Sequence, residues 1–221
     1  MHPIPVIAID GPSASGKGTV AQAVAGELGF HYLDSGALYR IVGLAVMRVG
    51  GNLDIESEVL STLLHINIKF HADQVLLDGA DVAEAIRAEP VSGAASKVGA
   101  HAKVRLALLQ RQRDFRQPPG LVADGRDMGS VVFPDSVLKI YLTASAEARA
   151  ERRYKQLIGK GFDANITTLL QEIRLRDQRD SERAAAPLQM GVDAVLVDTT
   201  QLSAVQSISR VMEIYRALRQ D

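Results

Sequence analysis

The stretch Val6 to Thr19, VIAIDGPSASGKGT, constrains the fold more than any other part of the chain. The apolar run Val6-Ile7-Ala8-Ile9 ends at Asp10 and reads as a buried strand. A glycine-rich loop follows from Gly11 to Gly16, then Lys17, Gly18 and Thr19. From Thr19 onward the pattern turns helical, with Val20, Val24 and Leu28 at one-turn spacing. Strand, loop and helix in this order nearly match the phosphate-loop pattern, in which two glycines bracket four residues and Lys and Ser or Thr follow. Gly11 and Gly16 allow a tight turn whose backbone N–H groups point inward. Those amides and the helix N-terminus make a concave anion site, and Lys17 adds a point charge for β- and γ-phosphates. One departure stands out. Gly18 follows Lys17, and the hydroxyl comes one place later, at Thr19, which leaves a magnesium-binding role for Thr19 open.

The chain has 221 residues, 47% of them hydrophobic, which suits one α/β domain with a buried core and an insert. A net charge of −1 does not suggest nucleic acid or a membrane surface as partner. Cysteine is absent, which excludes disulfides and thiolate metal sites and fits a reducing compartment. No apolar run approaches the ~20 residues of a membrane span. The start, MHPIPVIAIDG, has no basic region and enters the first strand at once, so it does not read as a signal peptide. The expectation is a cytoplasmic enzyme. Charge is unevenly placed: between Asn52 and Pro90 eight acidic residues face Lys69 and Arg87, and between Arg149 and Arg183 nine basic residues face six acidic ones. Most of these belong on a solvated face.

Along the chain, Phe30 to Leu33 reads as a short buried strand ending in Asp34-Ser35-Gly36, with a helix from Ala37 through Arg40. Polar groups at the carboxyl end of a strand sit where open α/β sheets place ligands, although Ser35 also suits a helix N-cap. Glu56 to Leu64 is helical in pattern. Ile66–Phe70 and Gln74–Leu77 read as strands, with Asp78-Gly79 as a hairpin signal. This small antiparallel sheet interrupts an alternating βα chain, so an inserted subdomain is expected over about 63–100. Helices follow at Val91–Ala100 and Ala102–Phe115. Leu121–Asp124 and Leu138–Leu142 are buried strands. Ser145 caps the next helix, and Gly159-Lys160-Gly161 makes a turn. Thr167–Arg183 is a polar helix, Ala194–Val197 the last core strand, and Val205–Leu218 a closing helix. Strands around Ile7, Tyr32, Val122, Ile140 and Val195 alternate with helices. That predicts a five-stranded parallel sheet with helices on both faces, a three-layer α/β fold.

Four blocks in this order, IDGPSASGKGT, LDSGALYR, ADGRDMGSVVFPD and RDQRDSERAAAPL, resemble the bacterial-type cytidylate kinases. The Gly-Lys-Gly-Thr ending of the first block is similar to that of nucleoside monophosphate kinases generally. The resemblance covers nearly the whole chain, including the insert. It implies a P-loop kinase of 1–221, with core 1–62 and 101–221, an α+β substrate-binding subdomain at about 63–100 and a short lid at about 152–163. It implies transfer of the γ-phosphoryl of ATP to CMP and dCMP with Mg²⁺, bound with ATP and mainly through water, in a monomer. The rivals are other P-loop kinases acting on AMP, UMP or shikimate, or a P-loop binding module. No Asn-Lys-x-Asp guanine motif and no Asp-x-x-Gly switch motif occurs.

Phosphoryl transfer needs two phosphorylated partners held in line, with the charge neutralised. One site is the loop Gly11, Pro12, Ser13, Ala14, Ser15, Gly16, Lys17, Gly18 and Thr19, expected to bind ATP. Arginines suit the second site because the guanidinium fork binds phosphate bidentately. Arg40 and Arg126 each sit just beyond a core strand. Arg176, Asp180 and Arg183 share one helix face, where an ordinary salt-bridge stripe is the alternative. By the resemblance, Arg176 and Asp180 meet the acceptor's sugar and phosphate and Arg183 its base. Ser35 and Arg40 join the CMP set, and Ser96, Arg105, Arg126 and Asp127 complete it. Cytosine offers an amino donor that a carboxylate such as Asp127 would accept. Arg149, Arg152 and Arg153 precede the lid; Arg149 and Arg153 are expected to face the triphosphate, and Lys17, Arg126 and Arg153 to be catalytic. Asp34 has two open readings, one organising magnesium-bound water or Arg40, the other a cap. The five histidines show no ligand spacing.

Overall fold

The computed structural model describes residues 4–71, 74–159 and 161–219. The chain divides into two compact units, one built from 1–33 and 112–221 and the other from 34–111.

The first unit is organised on a parallel sheet. Its strands are β1 (Val6–Asp10), β2 (His31–Asp34), β6 (Leu121–Gly125), β7 (Leu138–Thr143) and β8 (Val195–Asp198). Their order is β2-β6-β1-β7-β8. Every residue of β1 and β6 is buried, as expected for central strands covered on both faces. The register sets Asp10 beside Gly125 and Ile9 beside both Asp124 and Ile140. Parallel pairing puts the carboxyl ends of β1 and β6 on one edge, so the loops leaving Asp10 and Gly125 emerge together.

Helices cover the sheet. From α1 (Lys17–Leu28), Val20, Ala21 and Val24 pack with Ile7, Ile9, Val122, Ile140 and Leu142, and with Val211, Met212 and Tyr215 of α8 (Ala204–Ala217). A capping box fixes the start of α8: Ser203 Oγ accepts from Gln206 N, and the Gln206 side chain accepts from Ser203 N. Ser145 caps α6 (Ala146–Ile158) as expected, accepting from Ala148 N at 3.2 Å. Asn165 caps α7 (Ile166–Glu182).

The second unit begins with α2 (Ser35–Arg48), followed by α3 (Glu56–His65). The antiparallel sheet is β3 (Ile68–His71), β4 (Gln74–Leu77) and β5 (Ala80–Asp81), with the turn at Asp78-Gly79. Both turn residues have positive φ, 52° and 85°, the conformation that Asp-Gly hairpins require. Next come α4 (Glu89–Val98), with Pro90 in its first turn, and α5 (Ala102–Arg113). The insert expected over about 63–100 lies inside this unit, which begins earlier and ends later. The reason is packing: α2 lies so close to α4 that a Cβ on Gly43 would meet Ala94 Cβ at 2.9 Å. Ala37, Ile41 and Ala45 of α2 also share a core with Leu77, Val82 and Ile86. Among the described residues no helix is long and apolar enough to cross a membrane.

Candidate active site at the carboxyl edge of the sheet

The loop between β1 and α1 is held by backbone geometry. Gly11 touches the neighbouring strand, where an added Cβ would sit 2.0 Å from Leu142 O. Ala14 and Gly16 both have left-handed backbones, with φ of 59° and 93°, and Gly16 is the N-cap of α1. Such alternation turns successive amides toward one concavity. Lys17 is buried, and its Nζ donates to Pro12 O at 3.1 Å. Ser15 is 1% exposed, and its Oγ has no hydrogen-bond partner among the described residues. A buried hydroxyl of that kind in an anion-binding loop suits a phosphate oxygen. Thr19 lies on the exposed side of the first helical turn.

Gly18 faces a pair that the residue patterns did not single out. Tyr32 Oη donates to Asp124 Oδ2 at 2.6 Å, and a Cβ on Gly18 would lie 3.5 Å from the hydroxyl and 3.6 Å from the carboxylate. Asp124 is buried near the end of β6, next to the strand that feeds the phosphate loop. The signal for it was a carboxylate at the end of an apolar strand.

Beyond β6 the chain runs through Arg126 and Asp127 into a π-helical turn, Met128–Val132. Arg126 Nε donates to Asp180 Oδ2 at 2.8 Å, and Nη1 to Gly125 O at 3.2 Å. Burial opposes ionisation of Asp180, but Arg126, Arg176 and Arg183 outweigh it and hold the carboxyl below its ordinary range. Thus the structure gathers Arg126, Arg176, Asp180 and Arg183 into one electrostatic cluster, whose Arg126–Asp180 ion pair reaches across from α7 to the sheet edge. Asp127 is 3% exposed. Arg183 Nε donates to Ala186 O at 2.7 Å just after α7 ends.

The three arginines of α6 do not all share one role. Arg149 is 4% exposed, and its guanidinium donates to Ala144 O, to Ser13 O in the phosphate loop and to both oxygens of Asp177 on α7. It grips the loop from behind. Arg152 donates to Ser15 O and to Thr199, so it performs the same service one turn along. Arg153 is partly exposed, with Nη1 donating to Gln156 Oε1 at 2.8 Å. The expectation that Arg149 and Arg153 share one outlook is therefore not what this arrangement shows. Lys160, at the centre of the expected lid turn, lies outside the described residues.

The second unit holds four expected acceptor residues. Asp34, and not Ser35, is the N-cap of α2: its Oδ1 accepts from Ala37 N at 3.0 Å. Its Oδ2 lies 3.6 Å from Arg40 Nη1, so Asp34 both caps the helix and faces Arg40. Ser35 is buried in the first turn. Ser96 is buried on α4. Arg105 donates to Gly99 O at 3.1 Å and stacks over the Tyr39 ring at 5.4 Å.

Comparison with known proteins gives a consistent result. A family model described as cytidylate kinase matches residues 7–217. The cytidylate kinase of Burkholderia vietnamiensis (strain G4 / LMG 22486) is 57% identical over 219 residues, covering 99% of this chain and 96% of that protein. That of Paraburkholderia phymatum (strain DSM 17167 / CIP 108236 / LMG 21445 / STM815) is 58% identical over 218 residues, covering 98% and 95%. Among solved structures, a gluconokinase from Sinorhizobium meliloti 1021 superposes with a TM-score of 0.52 at 16% identity, covering 98% of this chain and 95% of that one. This last likeness concerns the fold alone. Kinship at this identity, over nearly the full length of both partners, means that the chain belongs to the cytidylate kinase family.

Proposed function

We propose that the protein transfers the γ-phosphoryl group of ATP to CMP and dCMP, forming CDP or dCDP and ADP in one direct step. The observation that carries this reading is the pairing of two anion sites on one sheet edge. The phosphate loop leaves β1, and the Arg126–Asp127 segment leaves β6, the strand beside it. Two phosphorylated substrates brought to neighbouring strand ends meet the main demand of phosphoryl transfer, which is positioning with charge neutralisation.

In this reading the loop amides of Gly11 to Thr19 and Lys17 hold the ATP phosphates. Arg126 and Arg40 are assigned to the acceptor phosphate, Arg176 and Asp180 to the sugar and phosphate, and Asp127, Ser35, Ser96, Arg105 and Arg183 to the nucleoside. Arg153, whose Nη1 donates to Gln156 Oε1 on its own helix, is assigned to the transferring phosphoryl group. Arg149 and Arg152 shape the donor cradle from behind. Residues 152–163 act as the lid and about 63–100 as the substrate-binding subdomain. The protein works as a monomer in the cytoplasm and supplies pyrimidine diphosphates.

Bound together with ATP, Mg²⁺ would supply neutralisation of phosphate charge. The residues would fit it: Asp124, held by Tyr32 beside Gly18, suits a water-mediated contact, with Thr19 in the first turn of α1 and the buried Ser15 hydroxyl on the loop. No covalent enzyme intermediate is expected; the acceptor phosphate oxygen attacks directly. Incubation with γ-labelled ATP and CMP tests this. Label should appear in CDP alone, whereas label retained on the protein after denaturation would contradict direct transfer.

A further inference from the structure

We infer that Asp10 is a positioning residue, whose carboxylate ties the start of the phosphate loop to the segment carrying Arg126 and Asp127. Asp10 closes β1 and immediately precedes Gly11. Its Oδ1 accepts from Met128 N and its Oδ2 from Gly129 N, both at 2.8 Å. The two amides belong to the turn that directly follows Asp127. One side chain therefore spans the donor loop and the acceptor segment, with an oxygen for each amide.

The arrangement is closely packed. Asp10 is 9% exposed, and a Cβ on Gly129 would lie 3.1 Å from Lys139 Cγ and 3.4 Å from Ala8 Cβ. Burying a carboxylate here is unfavourable, and two charge-assisted bonds offset part of the cost. An apolar residue would end β1 at lower cost but would leave both amides without an acceptor. Burial raises the Asp10 carboxyl to about 6 against the two amide bonds. Asp127 pushes in the same direction and Arg126 opposes it. Asp124 of β6, Tyr141 and Lys139 of β7, and Asp180 through Arg126, are further ionisable groups around this turn. Protonation replaces one acceptor oxygen by a hydroxyl and releases one amide.

The inference rests on assigning Arg126 and Asp127 to the acceptor, and its test separates the two claims. In the full-length ¹⁵N-labelled protein without nucleotide, the Met128 and Gly129 amide resonances should titrate together with a midpoint near 6. Asp10→Asn should lower kcat/KM for CMP by about 10- to 100-fold while changing the ATP dissociation constant by less than about threefold. A general folding defect would weaken both alike. Met128 and Gly129 amides that shift independently of one another as pH is lowered, or equal losses for ATP and CMP, would overturn the inference. If Asp10→Asn does not fold, the wild-type amide titration decides alone. Arg126→Lys is measured alongside. If it leaves the CMP KM unchanged, the acceptor assignment fails; if it raises that KM while Asp10→Asn does not, the Asp10 inference fails.

Discussion

Arg126, partly buried, and Asp180, buried, form an ion pair, Nε to Oδ2 at 2.8 Å, between the end of β6 and the last turn of α7. The pair fixes α7 against the sheet and holds one expected phosphate ligand in a defined rotamer. Removing one partner leaves the other charge buried without its main counterion. Asp180→Asn should therefore destabilise the protein by about 3–5 kcal/mol in urea unfolding. The linkage sign follows from the lowered Asp180 carboxyl. Its contribution is present above the ordinary carboxylate value of 3.8 and is lost as pH falls through the lower folded value. Acid unfolding of Asp180→Asn should lack that component. Asp10 has the opposite sign: its contribution is present below 3.8 and is lost as pH rises through about 6.

Lys17 is buried against Pro12 O at the first turn of α1. Lys17→Met removes the point charge and keeps most of the apolar stem. The expected result is a fall in kcat of about 10²–10³ with CMP binding retained, measured by steady-state kinetics and equilibrium titration. The variant speaks to the donor side alone.

Asp127 is the residue assigned to base choice. Uracil would set a carbonyl where cytosine has its amine, against a buried carboxylate. That mismatch should cost on the order of 1–3 kcal/mol. Asp127→Ala should accordingly narrow the preference for CMP over UMP far more than it weakens ATP binding. Equal losses with both acceptors would remove Asp127 from base recognition.

Gly11 leaves no room for a side chain, since a Cβ would lie 2.0 Å from Leu142 O. Gly11→Ala must push β7 away from the loop. The expected outcome is a lower thermal midpoint together with lost ATP affinity. A second effect at the loop is milder: Gly18→Ala would place its Cβ in ordinary contact with Tyr32 and Asp124.

Much of this fold was legible in the chain itself. The phosphate loop, the alternating strands and the Asp78-Gly79 hairpin rest on local chemistry, and each element appeared within a few residues of its expected place. Strand order was not legible, because periodicity reports burial and not neighbours. For the same reason Asp10 and Asp124 read only as polar residues at strand ends, until the register placed them beside the segments they serve. Arg149 shows the limit of helical spacing. Its distance from Arg153 predicted a shared face, whereas the buried pairing with Asp177 and the loop carbonyl of Ser13 engages Arg149 inside the protein. Asp34 and Ser35 were both open as caps for a simpler reason: either side chain can cap a helix, and only coordinates show that Asp34 Oδ1 meets Ala37 N.

The central claim is that cytidine monophosphate is the acceptor, and a coupled ADP-release assay tests it most directly. With ATP and Mg²⁺ fixed, CMP, dCMP, UMP, AMP and shikimate are offered in turn. The account predicts the highest kcat/KM with CMP and dCMP. Turnover with AMP, UMP or shikimate equal to that with CMP and dCMP would contradict it.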